Sequence, residues 1–139
     1  MVDSKWESIE VGKNQPQPLV TFTLNKTIRF NKALMEKYDL HMQEFVKVLF
    51  KEQEDKIKMG FIFLDEKEDN TLKLSSLEGG VGFISAHKIF RIIGIEKEQL
   101  RSMRVKRRFI PYTEDYKDDK ILVIDIPIKK EGDGDGRPE

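Results

Sequence analysis

Short apolar blocks alternate with charged runs along most of this chain, and their spacing switches between a period of two and one nearer 3.6. Residues 19–24 (LVTFTL) are β-branched and aromatic, which suits a pleated strand. Asn25-Lys26 predicts a turn, and Thr27-Ile28-Arg29-Phe30 continues as strand. Asn31 is a good N-cap for a short helix over 31–39, with Leu34, Met35 and Tyr38 in helical register. A hairpin follows, with strands at 44–50 and 57–63 around a polar turn at 51–56. After the charged connector 65–70 the pattern restarts. Leu72 and Leu74 alternate with polar neighbours, Glu78-Gly79-Gly80 turns, and Val81–Ile84 is a strand. Ser85 is the N-cap candidate for a second short helix over 85–94 that ends at Gly94, and 96–103 adds a further helical turn. Two last strands, 105–110 and 120–128, are joined by a polar loop at 111–119.

This pattern predicts an α+β fold. An N-terminal extension (1–18) precedes one domain (19–130) built from two half-repeats, 19–64 and 71–128, and a disordered tail (131–139) follows it. Phe30 aligns with Ile84 and Leu40 with Ile95, which places a one-residue insertion in the second helix. The predicted shared core is Phe30, Leu34, Phe45, Val48, Ile62, Ile84, Ile89, Phe90, Ile92, Phe109, Leu122 and Ile124.

Composition narrows the function. Lys plus Arg and Asp plus Glu each number 25, so the formal net charge is zero, and any electrostatic partner has to be met by a local patch. Cysteine is absent, so disulfides and thiolate metal sites are excluded and a reducing, cytoplasmic setting is expected. No apolar run approaches the ~20 residues needed to cross a bilayer, and the N-terminus is too polar for a signal peptide.

Residues 21–63 carry a more specific pattern. Thr27-Ile28-Arg29-Phe30-Asn31-Lys32 spans the strand-to-helix junction, Tyr38-Asp39-Leu40 the helix end, and Gln43-Glu44-Phe45-Val46 the entry to the hairpin. This stretch resembles the swapped-hairpin domain of AbrB/SpoVT-type and MazE-type regulators, whose pattern runs "T-I-P", "L-G-I", "G-D" and a β-hairpin. Phe30 replaces the usual proline, and Asp39 and Gln43 replace the usual glycines. A weaker echo runs over 81–126, where Gly94-Ile95 matches the helix end. The resemblance implies a small β-barrel formed within one chain as a pseudo-dimer with no free strand edges. It also implies a DNA-binding regulator, with Lys26, Arg29 and Lys32 where the family places DNA-contacting residues.

A second basic group lies at 97–108 (KEQLRSMRVKRR), with six basic residues against one acid. Arg101, Arg104, Lys106, Arg107 and Arg108 are its candidates for phosphate contact, since guanidinium groups suit bidentate pairing. In the plainer reading those charges pair with Glu114, Asp115, Asp118 and Asp119 downstream. Gly79-Gly80-Val81-Gly82 lacks the Gly-Lys-Ser/Thr ending of a phosphate loop and reads as a hairpin turn. Asp133-Gly134-Asp135-Gly136 begins like a calcium loop, but the chain stops before a closing Glu. His41 and His87 have no paired acid or nucleophile nearby, and no spacing proposes a metal or cofactor. The expectation is a non-enzymatic protein without a cofactor, monomeric or homodimeric, that binds DNA. The alternative is a protein-interaction or structural module, phage- or plasmid-encoded, whose partner is another protein.

Overall fold

Alternation of buried and exposed side chains begins at β1 (Val20–Phe22) and β2 (Thr27–Phe30), a hairpin that turns Val20, Phe22, Ile28 and Phe30 inward. The computed structural model describes residues 17–102 and 104–127. The proposed tail at 131–139 and nearly all of the 1–18 extension lie outside them. Asn31 caps α1 (Lys32–Lys37), its side-chain oxygen accepting from the Leu34 N–H at 3.0 Å. β3 (Phe45–Glu52) and β4 (Lys56–Leu64) form the long hairpin. β5 (Thr71–Lys73) and β6 (Ser75–Leu77) are separated only by buried Leu74, whose N–H donates to the Glu44 carbonyl. Then come β7 (Val81–Ser85), α2 (His87–Ile93), α3 (Lys97–Arg101), β8 (Arg108–Phe109), β9 (Tyr112–Tyr116) and β10 (Asp119–Pro127).

The strands form two antiparallel five-stranded sheets, ordered β6-β7-β2-β1-β8 and β5-β3-β4-β10-β9. At the middle of each sheet a strand from one half meets its counterpart from the other, β2 with β7 and β4 with β10. The inner faces share one core. Phe30 of the first sheet meets Phe61 and Phe63 of the second edge-on, with ring centroids 5.2 Å apart in both cases, and Phe22 contacts Phe90 of α2 and Phe109 of β8.

The helices end alike. Leu40 N–H donates to the Met35 carbonyl and Ile95 N–H to that of Phe90, both at 2.8 Å, with Asp39 (φ 55) and Gly94 (φ 79) in the left-handed region just before. Asp tolerates this conformation, and Gly adopts it freely.

Several expectations are corrected. The described strands make two sheets with edges at β6, β8, β5 and β9, and no closed barrel. The cap of α2 is Ala86, with Ser85 closing β7, so the extra residue of the second half precedes the helix. The supposed loop 111–119 contains β9, joined to β10 by a two-residue turn at Lys117-Asp118. The supposed strand 105–110 shrinks to β8, two residues long. Ile92 is 65% exposed because α2 turns Ile89 and Phe90 inward. Ile62 and Phe45 are only half-buried: β4 points Ile57, Met59 and Phe61 into the core, one residue out of step with that expectation.

Candidate nucleic-acid interface

The inward set Val20, Phe22, Ile28, Phe30 and Phe109 dictates what the first sheet shows outside. Neighbours across an antiparallel ladder share a face. The register pairs Ser75 with Phe83, Phe83 with Arg29, Arg29 with Thr21, and Thr21 with Arg108. These five residues form one row across the outward face. Arg29 and Arg108 flank Thr21, which puts their backbones about 10 Å apart, two strand spacings. They are the only charged residues in the strands of this sheet, which carry no carboxylate.

The fold thus joins one member of each basic group and disperses the rest. Lys26 sits in the β1–β2 turn with φ 63, and Lys32 beyond the other end of β2, where it pairs with Glu36 at 3.9 Å. Arg101 is exposed on α3. Arg104 borders a hollow whose walls also include Glu96 and Glu98. Lys106 lies 5.8 Å from the Phe109 ring centroid. Half-buried Arg107 anchors the backbone, its carbonyl accepting from Phe22 N–H at 2.7 Å. The sequence passed over Phe83, the half-buried aromatic cross-strand from Arg29. Only the ladder register reveals it.

Two of the carboxylates that the plainer reading offered to this segment are taken elsewhere. Glu114 pairs with Lys58 and Asp115 with Lys120. Among the described residues, no ion pair uses an arginine.

The second sheet differs outside. Tyr112 donates to Asp125 at 2.5 Å, Lys56 reaches the same carboxylate at 3.3 Å, and Ile121 folds over Gly60. Burial, and then the bond to Asp125, push the Tyr112 hydroxyl up to about 12. Lys58 is held above its ordinary value chiefly by its hydrogen bond to Glu114. Asp115 is held below its own by Lys120.

Beyond Phe61 and Leu122 strands β4 and β10 part, β4 running on against β3 and β10 beginning against β9. A groove of about 660 Å³ opens there, with Phe63, Leu64, Tyr38, Tyr116 and Ile121 among its walls. His41 and His87 are both exposed, and no group of three or more metal-binding side chains occurs among the described residues. No helix among them is long and apolar enough to cross a membrane. Comparison with known protein families, curated proteins and solved structures finds no match to this chain.

Proposed function

We propose that this protein is a non-enzymatic DNA-binding regulator or accessory protein that contacts duplex phosphates through the outward face of its first sheet. The observation that carries this reading is the Arg29–Thr21–Arg108 row, without an acid in its strands or, among the described residues, an ion-pair partner for either arginine. Unpaired guanidinium groups keep their charge for an anionic partner, and Phe83 adds an apolar surface beside them. At zero net charge, attraction has to come from a local patch such as this one. The fold is proposed as a swapped-hairpin pseudo-dimer of the AbrB-like kind, opened into two sheets. The meeting of β2 with β7 and of β4 with β10, and the matching helix ends, support that reading.

The test is a salt titration of duplex binding by gel shift. Replacing Arg29 and Arg108 together by Ala is expected to lower the log–log salt slope by about 1.8, the release of about 0.9 counterions per lost phosphate contact. No shift of wild type at micromolar protein in low salt overturns general duplex binding. A second reading, a protein-interaction module, draws on the apolar groove between β4 and β10. It expects no duplex shift and loss of a protein partner on Leu64→Asp.

A further inference from the structure

At the turn end of the first sheet lies a hollow of about 410 Å³ whose walls share no residue with the groove or the arginine row. Lys26, His87, Arg91 and Lys97 line it over Phe90, Gly94 and Ile95, with Glu96 as its one acid. Three elements separated in sequence supply those cations: the β1–β2 turn, α2 and the start of α3. None of Lys26, Arg91 and Lys97 enters an ion pair among the described residues. Glu96 also borders the neighbouring hollow that holds Arg104, so its charge is shared with that side. Phe90 and Ile95 are buried beneath, which lowers the local dielectric on one side and strengthens attraction inside. Gly94 leaves room: a Cβ added there would meet nothing within 4 Å.

Lys26 supplies an independent observation. The turn is closed by Lys26 N–H to the Thr23 carbonyl at 3.0 Å, Thr23 N–H to the Thr27 carbonyl at 3.0 Å, and the two threonine hydroxyls at 2.7 Å. In a three-residue hairpin loop of this kind the left-handed position favours glycine. Lysine holds it here at φ 63, a conformation that costs a non-glycine residue energy. The same lysine is one of the walls of the hollow.

We propose that this hollow is a phosphoryl-anion subsite. Three permanent cations in the walls of one hollow match the two or more negative charges of a phosphate or pyrophosphate better than the single charge of a carboxylate. Arg91 offers bidentate geometry, and the lysines act as point charges. The phosphoryl group comes either from a free phosphorylated small molecule or from a nucleic-acid backbone passing the end of the sheet. The subsite stands without the DNA-binding reading, because its residues are not those of the arginine row.

The probe is pyrophosphate, titrated at low ionic strength into full-length wild type, Lys26→Gly, and Arg91→Ala with Lys97→Ala, followed by backbone amide shifts and thermal melts. Saturable shifts confined to residues 24–27 and 86–97 are expected, with affinity reduced about tenfold or more in each variant, the size of one charge-assisted hydrogen bond. Lys26→Gly relieves the turn, so its melting temperature is expected to hold or rise while affinity falls. That combination separates a ligand role from a structural one. Absence of saturable shifts in wild type, or affinity unchanged in both variants, overturns the subsite. Arg29→Ala with Arg108→Ala is expected to leave pyrophosphate binding intact even where duplex binding fails. In a competition arm, displacement of bound duplex by pyrophosphate identifies the backbone as the source, and co-binding identifies a free phosphorylated ligand. Both of those outcomes support the subsite.

Discussion

The outward faces of the two sheets treat charge in opposite ways. On the first sheet, Arg29 and Arg108 stand beside Thr21 with no ion-pair partner among the described residues. On the second, Lys58 meets Glu114, Lys56 and Tyr112 meet Asp125, and Ile121 and Val123 are buried among neighbours on their own face. Both sheets cover one and the same core, so the difference lies in what each shows outside. Pairing spends a charge locally, whereas an unpaired arginine keeps it for something outside the molecule. The second face contributes to stability, and the first is the face to which the proposed duplex contact is assigned.

Substitutions grade this contrast by its effect on stability. The largest effect is expected where the two sheets join: Phe30→Ala removes the ring packed against Phe61 and Phe63 and should cost about 3–5 kcal/mol in denaturant unfolding. A loss under about 1 kcal/mol would mean that the sheets do not share a core. Next, Ile121→Ala on the second face should cost about 2 kcal/mol, the low end for a buried large-to-small change. A neutral result would show that this face is no more structural than the first. Alkaline pH probes the same face. Folding favours the protonated Tyr112 phenol, so its stabilisation is whole below pH 10 and is lost as pH rises from 10 towards 12. Melts of wild type across that window should fall more steeply than those of Tyr112→Phe. Equal slopes would remove Tyr112 from the network. The smallest stability effect is expected from Arg29→Ala with Arg108→Ala, within about 0.5 kcal/mol per site, alongside the lowered salt slope of duplex binding. A large destabilisation would make the first face structural as well and erase the distinction.

Much of this architecture was legible in the chain. The strand–turn–strand–helix order of the first half, the Asn31 cap and the long hairpin follow from β-branched blocks, one capping residue and a polar turn. β9 escapes a reading of the sequence because YTEDY sets three polar residues in a row between two tyrosines on an edge, with no fully buried side to mark it as strand. The two-residue turn at Lys117-Asp118 was its available signal, disguised by a left-handed lysine where glycine is usual. The phase of β4 was misjudged because Met59, Gly60, Phe61, Ile62 and Phe63 are apolar without interruption, so alternation gives no clue to which side faces in. Of the candidate interface, the sequence supplied the arginines but not their neighbourhood. Arg29 and Arg108 become neighbours only through the intervening strand β1, and Arg104 comes to share a hollow with Glu96 and Glu98 only through the placement of α3.

The central ladders also govern how fast this chain reaches its native state. Hairpins β1–β2, β3–β4 and β9–β10 close over short loops, in microseconds for such elements. The middle of each sheet has no such shortcut. Thr27 must find Ser85, and Lys56 must find Pro127, across most of a half-repeat or more of chain. Until they meet, β2 and β4 of an emerging first half present bare edges that any second copy can satisfy. Synthesis itself therefore opens an interval in which those edges stand unpaired, the condition under which half-exchange between chains competes with folding.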